Sequence, residues 1–104
     1  MVIAIFRFHV NPQADLEALG ALNQQMGALV SKMPGFLVMK DFSAQDGEVL
    51  AIAEFDSIES VNAWKAHPEH VIAQRRGREE FFADYHIQVC DVIRTLSFTA
   101  TAGQ

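Results

Sequence analysis

The sequence predicts an α+β fold whose elements run β-α-β-β-α-β around one four-stranded antiparallel sheet. Three observations carry the prediction. Runs with a two-residue apolar period open and close the chain, one long stretch repeats apolar residues at three- or four-residue steps while a second carries helix-start residues, and an Asp-Gly turn joins two further β-rich runs. With 104 residues, 50% of them apolar and 20% charged, the chain has enough apolar surface for a single core and not for two.

Val2 to Val10 reads as the first strand, with Val2, Ala4, Phe6 and Phe8 on one face and Ile3, Ile5, Arg7 and His9 on the other. Near its start both faces are apolar, so both must be covered. Pro12 opens a first helix in which Leu16, Leu19, Leu22, Met26, Leu29 and Met33 form the apolar stripe, and Pro34-Gly35 ends it. Phe36 to Phe42 and Glu48 to Phe55 form a hairpin, its turn supplied by Asp46-Gly47, a pair suited to positive backbone angles. Ser57 caps a second helix that starts near Ile58 and reaches Trp64 before His67-Pro68 interrupts it. Pro68 suits the first turn of a continuing helix, because its missing N–H would be unpaired there. That continuation passes through Val71, Ile72 and Phe81-Phe82, with a polar, solvent-facing middle from Arg75 to Glu80. Tyr85 to Phe98 closes the domain as a long strand with a bulge near Asp91. Residues 1–98 make up the domain and 99–104 a C-terminal tail.

This order is the split βαβ pattern of a ferredoxin-like domain, with both helices on one sheet face. The other face mixes Ile, Leu and Val with isolated charges such as Arg7, Lys40 and Glu54. An uncovered apolar face invites a partner, and the economical one is a second copy: an isologous homodimer in which two sheets stack into a barrel, with those charges pointing inward.

Composition bounds the function. The net charge of −5, from 13 acidic against 8 basic side chains, gives no broad positive field for nucleic acid or an anionic membrane surface. No apolar run approaches a bilayer span. The single cysteine, Cys90, excludes an internal disulfide and reads as a small buried apolar residue, and MVIAIFRF lacks the features of a signal peptide, so a cytoplasmic location is expected. There is no Gly-rich phosphate loop after a strand and no adequate metal-ligand set, so neither a cofactor nor a metal is expected.

The chemistry concentrates in VNAWKAHPEH, residues 61–70. Trp64 either fills the gap between helix and sheet or forms a pocket wall. His67 and His70, three apart, are too few for a metal site; His67 can cap the helix at Pro68, and His70 is either a surface residue or a general base. Arg75 and Arg76 stand four residues before Glu79 and Glu80, the spacing of exposed helix pairs. Arg75 also shares a face with Val71, Arg78 and Phe82, from which it could reach a pocket. Tyr85 and His86 point to opposite faces of the last strand, so one of them borders the cavity. An inward Arg7, beside His9, would hold a carboxylate or enolate; outward, both are solvated.

The stretch VNAWKAHPEHVIAQRRGREEFFADYHIQV, preceded by MPGF after the first helix, resembles the antibiotic biosynthesis monooxygenase superfamily. The points of likeness are the helical Trp followed by His-Pro-x-His, the Gly77-Arg78 pair, and Phe81-Phe82 leading into Tyr85. The resemblance spans Val2 to Phe98 and implies a dimeric α+β barrel. It also implies a small pocket between helices and sheet, where an electron-rich phenolic or quinol-like compound reacts with O2 without flavin or metal. On this reading Trp64 and His70 are the catalytic pair, with His70 drawing off a phenolic proton, and Arg7, Asn62, His67, Arg75 and Tyr85 contact the substrate. The haem-degrading branch would need an Asn on the first strand and a His three helical turns beyond the Trp. Phe6 or Arg7 and Gln74 stand there instead. The polyketide-oxygenating branch places an Asn one turn before the Trp, where this chain has Ser60, with Asn62 displaced by two. The expected function is a cofactor-independent monooxygenase. The alternatives are a non-enzymatic or stress-associated barrel that binds a small hydrophobic ligand and, more distantly, haem binding or degradation.

Overall fold

A computed structural model describes residues 1–101 of the chain. The expected alternation does produce strands: β1 (Val2–Val10), β2 (Phe36–Ser43), β3 (Val49–Phe55) and β4 (Phe82–Asp91) form one sheet in the order β2-β3-β1-β4. Every neighbouring pair is antiparallel. The helices are α1 (Leu16–Val30), α2 (Ile58–Ala66) and α3 (Pro68–Arg76), and a π-helical turn, Gly77–Phe81, links α3 to β4. This is the ferredoxin-like α+β arrangement the sequence predicts, with all helices on one sheet face.

The start of α1 differs from expectation. Pro12 lies in the preceding turn, where the Asn11 side chain accepts from Gln13 N–H, and Asp15 caps the helix by accepting from Ala18 N–H at 3.1 Å. A carboxylate there both satisfies an orphan donor and faces the positive end of the helix dipole. Leu16, the first residue of the assumed stripe, is consequently 68% exposed. The helix ends at Val30, and Gly35 takes a φ of +85° in the turn that follows, where a side chain would also collide with Ser60 and Asp56. Gly47 adopts φ +91° in the expected hairpin turn. Ser57 caps α2 as expected, accepting from Ser60 N–H.

The last strand is shorter and earlier than Tyr85–Phe98. β4 starts at Phe82 and ends at Asp91 because its partner β1 starts at Val2, directly opposite Asp91; one further bond, Val92 N–H to Met1 C=O at 3.0 Å, closes the ladder. Residues 92–101 then leave the sheet without regular structure, and Ile93, Leu96 and Phe98 are exposed. Residues 102–104 of the expected tail lie outside the described residues. The register shift sits at the opposite end from the expected bulge: His9 pairs with Asp84 and Val10 with Phe82, leaving Ala83 as the extra residue.

Two buried clusters anchor the helices to the sheet. Val2, Val30, Phe55 and Val61 form one, and Leu19, Leu22, Ala73 and Phe81 the other. Burying an aliphatic or aromatic side chain of this kind is worth about 1.5–3 kcal/mol. The other sheet face carries Ile3, Ile5, Leu50 and Ile52 in its middle, Lys40 beside Ile52, Glu54 opposite Ile3, and Arg7 and His9 towards the other end. Of the charges expected to be isolated, Arg7 is not: it donates from Nε and Nη2 to the Glu48 carboxylate at 3.2 and 3.0 Å, and beside it His9 Nδ1 lies 3.0 Å from Asp84, whereas Lys40 and Glu54 form no ion pair among the described residues. Cys90 is exposed on this face rather than buried, since nothing in the single chain covers it.

Candidate active site

Pro68 organises the site by what it lacks. In an unbroken helix Trp64 C=O would accept from the N–H four residues on, but that residue is Pro68 and has none. The next donor, Glu69 N–H, is taken by His67 Nδ1 at 3.2 Å, so Lys65 C=O loses its partner too. Trp64 C=O keeps one backbone donor, His67 N–H at 3.1 Å, and side chains from α3 add a donor to each of the two carbonyls. His70 Nδ1 reaches Trp64 C=O at 3.0 Å, and Gln74 Nε2 donates to Lys65 C=O at 3.1 Å. His70 and Gln74 are four residues apart and share one helix face, which lets them serve adjacent carbonyls.

The bond to Trp64 fixes the tautomer of His70. A carbonyl only accepts, so Nδ1 carries the proton and Nε2 is the unprotonated nitrogen of the neutral ring. Gln74 Nε2, 3.4 Å from His70 Nδ1, is then a close neighbour and not a second bond. The imidazole stacks on the Trp64 indole with centroids 4.1 Å apart and planes 14° from parallel. Burial pushes the His70 pKa below the usual imidazole value, outweighing the Trp64 carbonyl, which acts to raise it; the nearby His67 adds a little in the same downward direction. The ring is therefore a neutral base at neutral pH.

Trp64 and His70 border a cavity of about 550 Å³ between the helices and the sheet. That is within the range of small-molecule sites. Its floor is the helix-facing register of the strands: Ala4, Phe6 and Phe8 of β1, Ala51 and Ala53 of β3, and Tyr85, Ile87 and Val89 of β4. The three alanines leave the space that larger side chains would fill. At the β4 end Phe6, Phe8, Phe82 and Tyr85 pack as an aromatic cluster with centroid separations of 4.7 to 6.3 Å. The cavity thus has an indole-imidazole stack on its helical side and aromatic edges at one end of its sheet side, a shape suited to a flat apolar molecule.

The cavity brings together some of the residues singled out from the sequence and leaves others apart. Trp64, His70 and Tyr85 line it, whereas His86, pairing with Arg7, belongs to the opposite sheet face. Arg7 is on that opposite face too, bound to Glu48, because strand alternation turns it away from Phe6 and Phe8. Asn62, two positions before Trp64 on α2, is exposed on the outer side of the helix, and Arg75 is likewise exposed outside the cavity. His67 is the Pro68 cap, its ring 5.8 Å from the indole, and does not line the cavity. In place of Arg75 the cavity has Arg78, whose Nη1 lies 3.4 Å from the Tyr85 hydroxyl. The signal for Arg78 was its spacing: 70, 74 and 78 are successive steps of four along one face, and the glycine before it admits the Phe82 ring where a Cβ would meet it at 2.6 Å. Asn23 and Met26 of α1 and Asp41 of β2 also border the space. Among the described residues no group of three or more potential metal ligands occurs, and no helix is long and apolar enough to cross a membrane.

Residues 1–76 match the antibiotic biosynthesis monooxygenase family. The chain is 30% identical over 79 residues, 76% of its length, to the uncharacterized protein YqjZ of Bacillus subtilis (strain 168), of which the match covers 69%. Among solved structures it is similar to Rv0793 from Mycobacterium tuberculosis, with a TM-score of 0.79, 21% identity, and 92% of this chain and 98% of that one covered. It is also similar to SnoaB, a cofactor-independent oxygenase from Streptomyces nogalater, with a TM-score of 0.75, 16% identity, and coverage of 91% and 95%. At those identities the two structures support the fold alone, while the match over most of the chain places this protein in the antibiotic biosynthesis monooxygenase family.

Proposed function

We propose that the protein is a cofactor-independent monooxygenase that oxidises a small aromatic or quinol-like compound with O2. The observation that supports this is His70: a half-buried imidazole held neutral, with its Nδ1–H committed to the Trp64 carbonyl and its Nε2 left as a base beside an aromatic-lined cavity. Nε2 takes the phenolic proton. The resulting anion gives one electron to O2, the radical pair combines to a peroxide anion on a ring carbon that bears hydrogen, and protonated His70 returns its proton to the outer oxygen; loss of water, which takes the hydrogen from that carbon, leaves a carbonyl, so one oxygen atom enters the product and the other departs as water. Trp64 holds the ring plane and Tyr85 borders the same space. The description of SnoaB as a cofactor-independent oxygenase agrees with this chemistry.

A second reading, a binding module for a small hydrophobic ligand, draws on the same bond: beside His67 N–H, His70 gives Trp64 C=O the second donor at the break that Pro68 makes, a structural task that needs no reaction. Oxygen uptake separates the two. With a panel of phenols and quinols, the enzyme reading expects uptake that His70→Ala lowers about 10²- to 10⁴-fold, with substrate binding largely kept. No uptake on any member leaves the binding module, and uptake at an unchanged rate in the variant removes His70 as the base. The proposed working unit is an isologous dimer joined through the uncovered sheet face, for which the half-buried apolar middle of that face and the exposed Val38 and Phe42 beside it are the support.

A further inference from the structure

We propose that Arg78 and Tyr85 form an oxyanion-holding pair that selects aromatic substrates with an acidic oxygen and directs that oxygen toward the β4 end of the cavity. The inference rests on the proposed oxygenase reading for its chemistry and on the cavity alone for its binding. Among the described residues Arg7 is paired with Glu48 and Arg76 with Glu80, each at about ion-pair contact, whereas Arg78 has no carboxylate within that range and lines the cavity. Its nearest polar side-chain contact is the Tyr85 hydroxyl at 3.4 Å. When Arg78 donates to that oxygen, the phenolic proton of Tyr85 points elsewhere, so guanidinium and hydroxyl offer donors to a common acceptor.

Charge is distributed along the cavity with a direction. Asp41 borders it from β2, at one edge of the sheet, and Tyr85 from β4, at the other. Three strand spacings separate those edges, roughly 14 Å at about 4.8 Å each. An anionic oxygen is repelled at the Asp41 end and held at the Arg78 end. Developing charge on the deprotonated ring then meets fixed donors in a partly dry site, where such donors are most effective. The fitting class is a hydroxyquinone or a polyhydroxylated arene ionised at one oxygen.

Trp64, the chain's one tryptophan and a wall of the cavity, reports binding directly through its emission, independently of turnover. The probes are 2-hydroxy-1,4-naphthoquinone, an anion at neutral pH, and its neutral 2-methoxy analogue, with inner-filter correction. The wild-type protein is expected to bind the anion about tenfold or more tightly than the methoxy compound. Arg78→Gln should abolish that preference while leaving methoxy binding unchanged, Arg78→Lys should restore part of it, and Tyr85→Phe should weaken it. Equal binding of the two quinones, no quenching by either, or equal losses for both in Arg78→Gln would overturn the proposal. Lys65 also borders the cavity, so Lys65→Gln is measured in parallel; loss of the preference in that variant alone would also overturn it. Anion preference without oxygen uptake refutes the oxygenase reading and leaves this one standing, and uptake without the preference does the reverse.

Discussion

At the scale of single residues, the behaviour of His70 with pH follows from its burial. Its pKa lies below the ordinary value of 6.5, so the basic form persists below that pH. The acid limb of kcat/KM is therefore expected below pH 6.5, falling about tenfold per pH unit once under the folded-state pKa, and a limb centred above 6.5 would contradict this assignment. Stability carries the same signature. The unfolded chain binds the His70 proton more readily than the native one, so this contribution is complete above pH 6.5 and is lost as pH falls through the folded pKa. His9 has the opposite sign: its hydrogen bond to Asp84 raises its pKa, so its contribution is present below pH 6.5 and disappears as pH rises through the folded value. Comparing pH-dependent denaturation of His70→Gln and His9→Gln separates the two. Trp64, His70 and Tyr85 were legible as candidates because their chemical types stand out along the chain. Arg78 was hidden within a run of charges whose ordinary explanation, exposed helix pairs, does hold for Arg76 and Glu80.

At the scale of elements, the break between α2 and α3 depends on one imino acid. Pro68→Ala restores an N–H that can bond Trp64 C=O directly, competing with His67 N–H and His70 Nδ1 for the acceptor. Oxygenase turnover is expected to fall while helical content by circular dichroism stays level or rises, and retained turnover would show that the Trp64 bond does not position the base. The elements themselves were largely readable: periodicity gave four strands and the stripe of α1, Asp46-Gly47 gave the hairpin, and Ser57 and Pro68 gave the starts of α2 and α3. Their ends were less so, for reasons of partnership. A strand persists only as far as its neighbour runs, so the apolar pattern through Phe98 could not reveal that pairing stops at Asp91. The π-helical turn after α3 likewise has no periodic signature over five residues.

At the scale of the whole molecule, one layer of helices covers one face of the sheet and the other face remains open. The proposed dimer predicts sedimentation at about twice the 11.6 kDa chain mass at micromolar concentration. Ile52→Lys, in the middle of that face and away from the helical core, should yield a folded monomer; a well-folded wild-type monomer would refute the dimer. The strand order has a consequence for synthesis. β1, made first, occupies an interior position between β3 and β4, and its pairing with β4 joins residues 2–10 to residues 82–91. A growing chain can assemble β1, β2 and β3 but must keep one flank of β1 unpaired until residues 82–91 have been made. Contacts so distant in sequence slow folding and leave a bare edge for nascent chains to find one another. Exposure to misassembly is therefore greatest in the interval between the emergence of β3 and that of β4.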